Sequence, residues 1–161
     1  MRAQQGFTVM EVTLALIIFT MMTLLFGAVL PVAVRGAKHS GNYDQAAALA
    51  QRKIDQLRVA GFSRLFDSSD ATAVSKLTAQ NIVDGQTSAG VYDFTNVDHL
   101  AGTGGYFPPG STGTITVTDG TNQYTPGYGG NVAVVTVTIT WVGAVPGSYS
   151  ASALVVSMQH Q

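Results

Sequence analysis

Residues 12–34 read VTLALIIFTMMTLLFGAVLPVAV, an uncharged run bounded by Glu11 on one side and Arg35 on the other. As a helix rising about 1.5 Å per residue, this stretch is roughly 34 Å long. A bilayer's hydrocarbon core is about 30 Å thick, so the segment is long enough to cross one. A cleaved secretory signal fits less well, because its apolar stretch runs to only about 7 to 15 residues. Glu11 also stands where such a stretch is uninterrupted. A plain membrane anchor accounts for the length but leaves Glu11 as an unpaired acid at the edge of hydrocarbon. Arg2 is the only charge before Glu11, and Arg35 and Lys38 follow the segment, so flanking positive charges leave the orientation nearly tied.

The pattern then changes without a break. In SGNYDQAAALAQRKIDQLRVAGF, residues 40–62, Tyr43, Ala47, Ala50, Ile54 and Leu57 recur at helical spacing, with Asp44, Gln51, Asp55 and Arg58 on other faces. Gly61 is a natural stop. The reading is one helix from Phe7 to Ala60, with an apolar first half and an amphipathic second half. Pro31 removes the hydrogen bond to the Gly27 carbonyl, so the helix is expected to kink there, and Gly36 is a second weak point.

The rest of the chain is a head of different composition. The protein has 161 residues, net charge −1, 11% charged residues and no cysteine. That suits one domain with an appended element. It also removes disulfides, thiolate metal sites and cysteine nucleophiles. All eight Lys and Arg lie at or before Lys76, and residues 77–161 carry only Asp84, Asp93, Asp98 and Asp119. A region without cations has nothing to displace the counterions of a polyanion, so nucleic acid is not expected as a partner of the head.

Within the head, AVSKLTAQNIV (73–83) reads as a short helix and VYDFTNV (91–97) alternates like a strand. AGTGGYFPPGSTG (101–113) is a loop by its glycine and proline content. TITVT (114–118), the turn-prone Asp119-Gly120 and NQYT (122–125) read as a hairpin. The clearest alternation is NVAVVTVTITWV (131–142), where Ala133, Val135, Val137, Ile139 and Trp141 oppose Thr136, Thr138 and Thr140. A turn at AVPGS leads into YSASALVVSMQ (149–159), a last strand able to pair antiparallel with it. Three or four antiparallel strands over the second half of a long helix give an α+β fold.

Catalytic candidates are few. His39, His99 and His160 are available, but no G-x-S-x-G, H-E-x-x-H or phosphate-loop pattern accompanies them. The glycines of GTGG and GYGG lack the flanking strand and helix of a nucleotide loop. Asp67, Asp70, Asp84, Asp93 and Asp98 lack the ladder of oxygen ligands of a compact calcium loop and read as solvated loop acids. No enzyme activity, metal or cofactor is expected. Tyr106, Phe107, Tyr124 and Tyr128 lie in the two glycine-rich loops, where they either cover the sheet or present an uncharged contact surface.

The N-terminus, MRAQQG followed by FTVMEVTLALIIF, resembles the leader and first helix of type IV pilins and of the type II secretion pseudopilins. A short leader, a glycine, a phenylalanine, a T-x-x-E run and a long apolar helix coincide in it. The resemblance implies a leader of residues 1–6, an apolar assembly half over 7–34, an amphipathic half over 35–61 and a head over 62–161. It implies cutting by a prepilin peptidase after Gly6, N-methylation of Phe7, and a subunit-assembly role for Glu11. The implied partners are that peptidase, other pilin or pseudopilin subunits, an inner-membrane assembly platform, and membrane lipid before assembly, with the head outside the cytoplasm. The AAALAQRKIDQLR run and the short C-terminal sheet are more similar to minor subunits than to an abundant major pilin. The lack of cysteine departs from the many family members whose C-terminal loop is closed by a disulfide. A membrane-anchored binding protein or a secreted enzyme is the alternative of a different class.

An ionised carboxylate at membrane depth costs about 2.5 to 3.5 kcal/mol on insertion scales, so Glu11 needs a cation. A cut after Gly6 would create one, the amine of Phe7, four residues away. That amine can serve Glu11 of its own helix or of a neighbouring subunit; the alternative is that Glu11 reaches back to the membrane surface.

Overall fold

A computed structural model describes residues 8–66, 70–100, 104–127 and 130–156, with only the backbone described at 63, 64, 70 and 71. Its contacts divide the chain into two compact units, Met1–Ser40 and Gly41–Gln161. Helix α1, Val9–Ala60, contributes its first part to one unit and its second part to the other.

In the first unit α1 continues through Pro31 and Gly36. Every side chain from Val9 to Ser40 is exposed. Phe19, Leu24 and Leu25, for example, retain 69%, 70% and 67% of their surface. A helix that is apolar on all sides finds its partner outside its own chain, in lipid or in other helices.

In the second unit the same helix acquires a buried stripe of Ala46, Leu49, Ala50, Lys53, Ile54 and Leu57. The spacing of three and four residues that predicted an amphipathic helix is kept, but Ala46 and Leu49 lie on the buried face where Tyr43 and Ala47 were expected. Tyr43 stays at the margin, edge-on to the Trp141 ring at 4.9 Å. Gly61 ends the helix: its N–H reaches Leu57 O at 3.1 Å and its φ of +87° lies where a side chain would be strained. A single turn, α2 (Phe62–Leu65), and α3 (Asp70–Ala79) follow.

Five strands then form one antiparallel meander in chain order: β1 (Gly85–Ser88), β2 (Val91–Asp93), β3 (Thr112–Thr118), β4 (Val132–Trp141) and β5 (Gly147–Val156). The inner face of β4 is as read from sequence, with Ala133, Val135, Val137, Ile139 and Trp141 all fully buried. They share one core with the α1 stripe, Tyr92, Ile115, Val117 and Val155. Trp141 is its largest member. Phe107 stacks on its ring at 5.7 Å, and its Nε1–H donates to Val145 O at 3.1 Å. Gly147 opposite is required by that ring, since a Cβ there would lie 2.6 Å from Trp141 Cζ2.

Four expectations of the head are corrected. NQYT is not a strand: β3 ends at Thr118 and pairs directly with β4, Thr114 opposite Thr138. The cause is Asp119, whose Oδ1 accepts from the N–H groups of Thr121 (2.8 Å) and Gln123 (3.1 Å) and whose Oδ2 accepts from Thr125 Oγ1 (3.2 Å). Backbone groups satisfied by a side chain do not need a strand partner. VYDFTNV is a strand only to Asp93, because Asp84 accepts from the N–H groups of Asn96 (2.6 Å) and Val97 (2.8 Å) and Asp93 from that of Thr95 (2.7 Å). These contacts wind the chain into a turn. Asp84 and Asp93 are therefore not merely solvated loop acids, and neither is Asp98, which is buried against Lys53. The short helix stops at Ala79, where Asn81 adopts φ +53°.

Candidate functional site

The candidate assembly site is the first turn of α1. Thr8 caps it: the Glu11 N–H lies 3.3 Å from Thr8 Oγ1 and 3.1 Å from Thr8 O. Thr8 and Glu11 stand at the first and last positions of a T-x-x-E capping sequence. Glu11 is the acidic residue of the first turn, where unpaired amides at the positive end of the helix dipole favour a negative charge. Its place at the head of the apolar run is as the sequence reading had it. Gly6 and Phe7 lie outside the described residues. Pro31 lies within the helix.

The apolar segment contains polar atoms, and they are consumed locally. Thr13 Oγ1 donates to Met10 O (2.9 Å), Thr20 Oγ1 to Leu16 O (2.7 Å) and Thr23 Oγ1 to Phe19 O (2.9 Å). Hydroxyls bonded within their own helix present little polar demand to a hydrocarbon environment. By length and composition α1 can cross a membrane.

The head holds a charged cluster that sequence reading missed. Lys53 is fully buried, with Nζ 2.6 Å from Asp98 Oδ2 and donating to Ile82 O at 2.6 Å. Its ammonium stands 5.1 Å from the centre of the Phe94 ring. Arg52 pairs with the other oxygen of Asp98. Burial pushes the Lys53 pKa below the ordinary lysine value, against the opposing pull of Asp98. The cluster ties α1 to the segment after α3 and to the turn after β2. Its one signal in the sequence is a lysine at the third position after Ala50, inside the apolar stripe.

The remaining candidates are dispersed. His39 is on α1, and His99 is exposed with φ +49° in the turn after β2. Among the described residues no three His, Asp or Glu side chains group as metal ligands do. Phe107 is buried on Trp141, and the half-buried Tyr124 stacks on Phe66 at 5.5 Å, so these two rings serve packing. Tyr106 is exposed beside Arg52, where both line a hollow of about 220 Å³. Tyr128, Asp67 and His160 lie outside the described residues.

A long N-terminal helix whose second half lines a small antiparallel sheet is an α+β architecture of the pilin type. No family model, curated protein or solved structure matches the chain.

Proposed function

We propose that this chain is a non-enzymatic structural subunit of a type IV pilus or a related filament such as the type II secretion pseudopilus. In this reading a prepilin peptidase removes residues 1–6 and methylates Phe7. The chain waits as a single-pass protein of the inner membrane with its head outside the cytoplasm, and then enters the filament through residues 7–34. One observation carries the proposal: a helix apolar on every side begins with a capped turn whose single charge is Glu11. Lipid tails and the apolar helices of other subunits are near-equivalent surroundings for such a helix, so exchanging one for the other costs little.

Glu11 supplies the alignment that apolar packing lacks. Paired with the Phe7 amine of a neighbour at 4 Å and an effective dielectric near 20, it is worth on the order of 4 kcal/mol before desolvation. Thr8 fits the same scheme by holding the turn that separates amine and carboxylate.

The test is the mature N-terminus, mapped by mass spectrometry after co-expression with a prepilin peptidase. An N-methylated Phe7 is expected, and Gly6→Val should block the cut by placing a bulky side chain where the peptidase takes a small one. Retention of Met1, or a cut beyond Ala33, would point to an anchor or a secretory signal instead.

A further inference from the structure

The two edges of the sheet are built differently. β1 is four residues long and its pairing with β2 slips between Gln86 and Ser88. Short length and a bulge are ordinary defences against edge-to-edge pairing. β5 has ten residues, pairs with β4 in unbroken register from Gly147↔Trp141 to Val156↔Val132, and contains no proline. No Asp, Glu, Lys or Arg follows Asp119 in the chain, so β5 also lacks a protective charge. Among the described residues no strand lies on its outer side.

We propose that β5 pairs antiparallel with β5 of a second copy of this chain, joining two sheets into one. The strand is suited to itself. A two-fold axis through Ala151 sets Ala151 against its own copy, Tyr149 against Ala153 and Ser150 against Ser152. Tyr149, Ala151 and Ala153 are only partly covered by the core of their own chain, so a large ring meets a small side chain where surface remains. On the outer face Ser150 and Ser152 already end hydroxyl rows, bonded to Thr138 at 2.9 Å and Thr136 at 2.8 Å. Each hydroxyl donates once and accepts twice, so Ser150 facing Ser152 continues both rows across the joint. A neutral strand opposes no like charges when paired with itself, whereas a charged one would. This inference does not rest on the assembly role of α1.

The experiment uses the full chain in detergent micelles, which has no native thiol to interfere. Single cysteines are placed at Ser150, Ala151 and Ser152 on β5 and at Thr87 on β1, and oxidative cross-linking is timed. Ala151→Cys should cross-link fastest and roughly tenfold faster than Thr87→Cys, because disulfide closure needs Cα atoms within about 7 Å. Ser150→Lys combined with Ser152→Lys should abolish the cross-link at position 151, while Ser150→Thr with Ser152→Thr retains it. Trp141 fluorescence and an unchanged melt certify that the lysine variant is folded. Association through α1 alone would cross-link the two edges equally, and that result, or cross-linking that survives the lysines, overturns the proposal.

Discussion

Helix α1 contains two regions that share a backbone and differ in where their apolar residues point. From Val9 to Val34 they point everywhere and all are exposed; from Gly41 to Ala60 Ala46, Leu49, Ala50, Ile54 and Leu57 gather on one buried stripe, while Val59 stays exposed. The first region leaves its partner to be found, and the second carries its partner in the same chain. Angular distribution, rather than total hydrophobicity, separates a segment that its own unit leaves exposed from one that builds a core.

That contrast predicts a graded set of losses. The largest comes from removing the second region. A fragment beginning at Lys38 should melt cooperatively by circular dichroism, while one beginning after Gly61 should not, because Leu49, Ile54 and Leu57 would no longer cover the sheet. A cooperative melt of the shorter fragment at the same temperature would mean that the helix is not part of the core.

Next in size are single side chains. Trp141→Ala should cost about 3 to 5 kcal/mol in urea titrations of the Lys38 fragment, as large aromatic truncations in cores do. Asp98→Ala should cost a comparable amount, about 3 to 5 kcal/mol, because it strands the Lys53 charge. Adding Lys53→Met to Asp98→Ala should recover most of that loss. Failure to recover would show that Asp98 acts through the turn it occupies rather than through the lysine.

A smaller effect lies in pH. Burial lowers the Lys53 pKa in the folded chain below its ordinary 10.5, with Asp98 pulling the other way. Between the folded value and 10.5 the unfolded chain binds more protons, so this group adds stability as pH rises through that window. Its cost is present in full below the folded value. The urea midpoint of the wild type, measured relative to that of Lys53→Met, should therefore rise as pH is raised toward 10.5. A relative midpoint that falls with pH would refute the sign.

The smallest effect on the head is expected from the first region. Glu11→Val should leave the head's melt and the membrane-bound fraction unchanged, since it only makes the helix more apolar, yet it should lower incorporation into sheared filaments. Equal incorporation at equal expression would remove Glu11 from the assembly role proposed for it.

How much of this was legible in the sequence follows the range of the interactions concerned. The span of α1, its stop at Gly61 and the inner face of β4 were readable because periodicity and a glycine are local signals. The loops were not, because side chains replace the backbone partners that strand reading assumes. Asp119 satisfies its own loop, and Asp84 reaches twelve and thirteen residues ahead to the amides of Asn96 and Val97. The Lys53–Asp98 pair was illegible for a further reason: a lysine between Arg52 and Ile54 reads as solvated until a carboxylate distant in sequence is brought beside it. At the candidate site, Glu11 and the apolar run were visible from composition, while the capping part of Thr8 emerged only with the hydrogen bond to Glu11.

The threonines of the apolar helix carry one more consequence. Because Thr13, Thr20 and Thr23 each donate their hydroxyl proton to the turn behind them, they have no donor left for a neighbouring helix and can only accept from one. A neighbour built the same way has no hydroxyl donor to offer them, so two such surfaces would meet as lubricated shafts, able to spin or slide without breaking a polar contact. In the filament proposed above, registry in a bundle of such shafts would fall to the charged collar at Glu11, and a subunit whose collar is unengaged would have nothing to stop it gliding on.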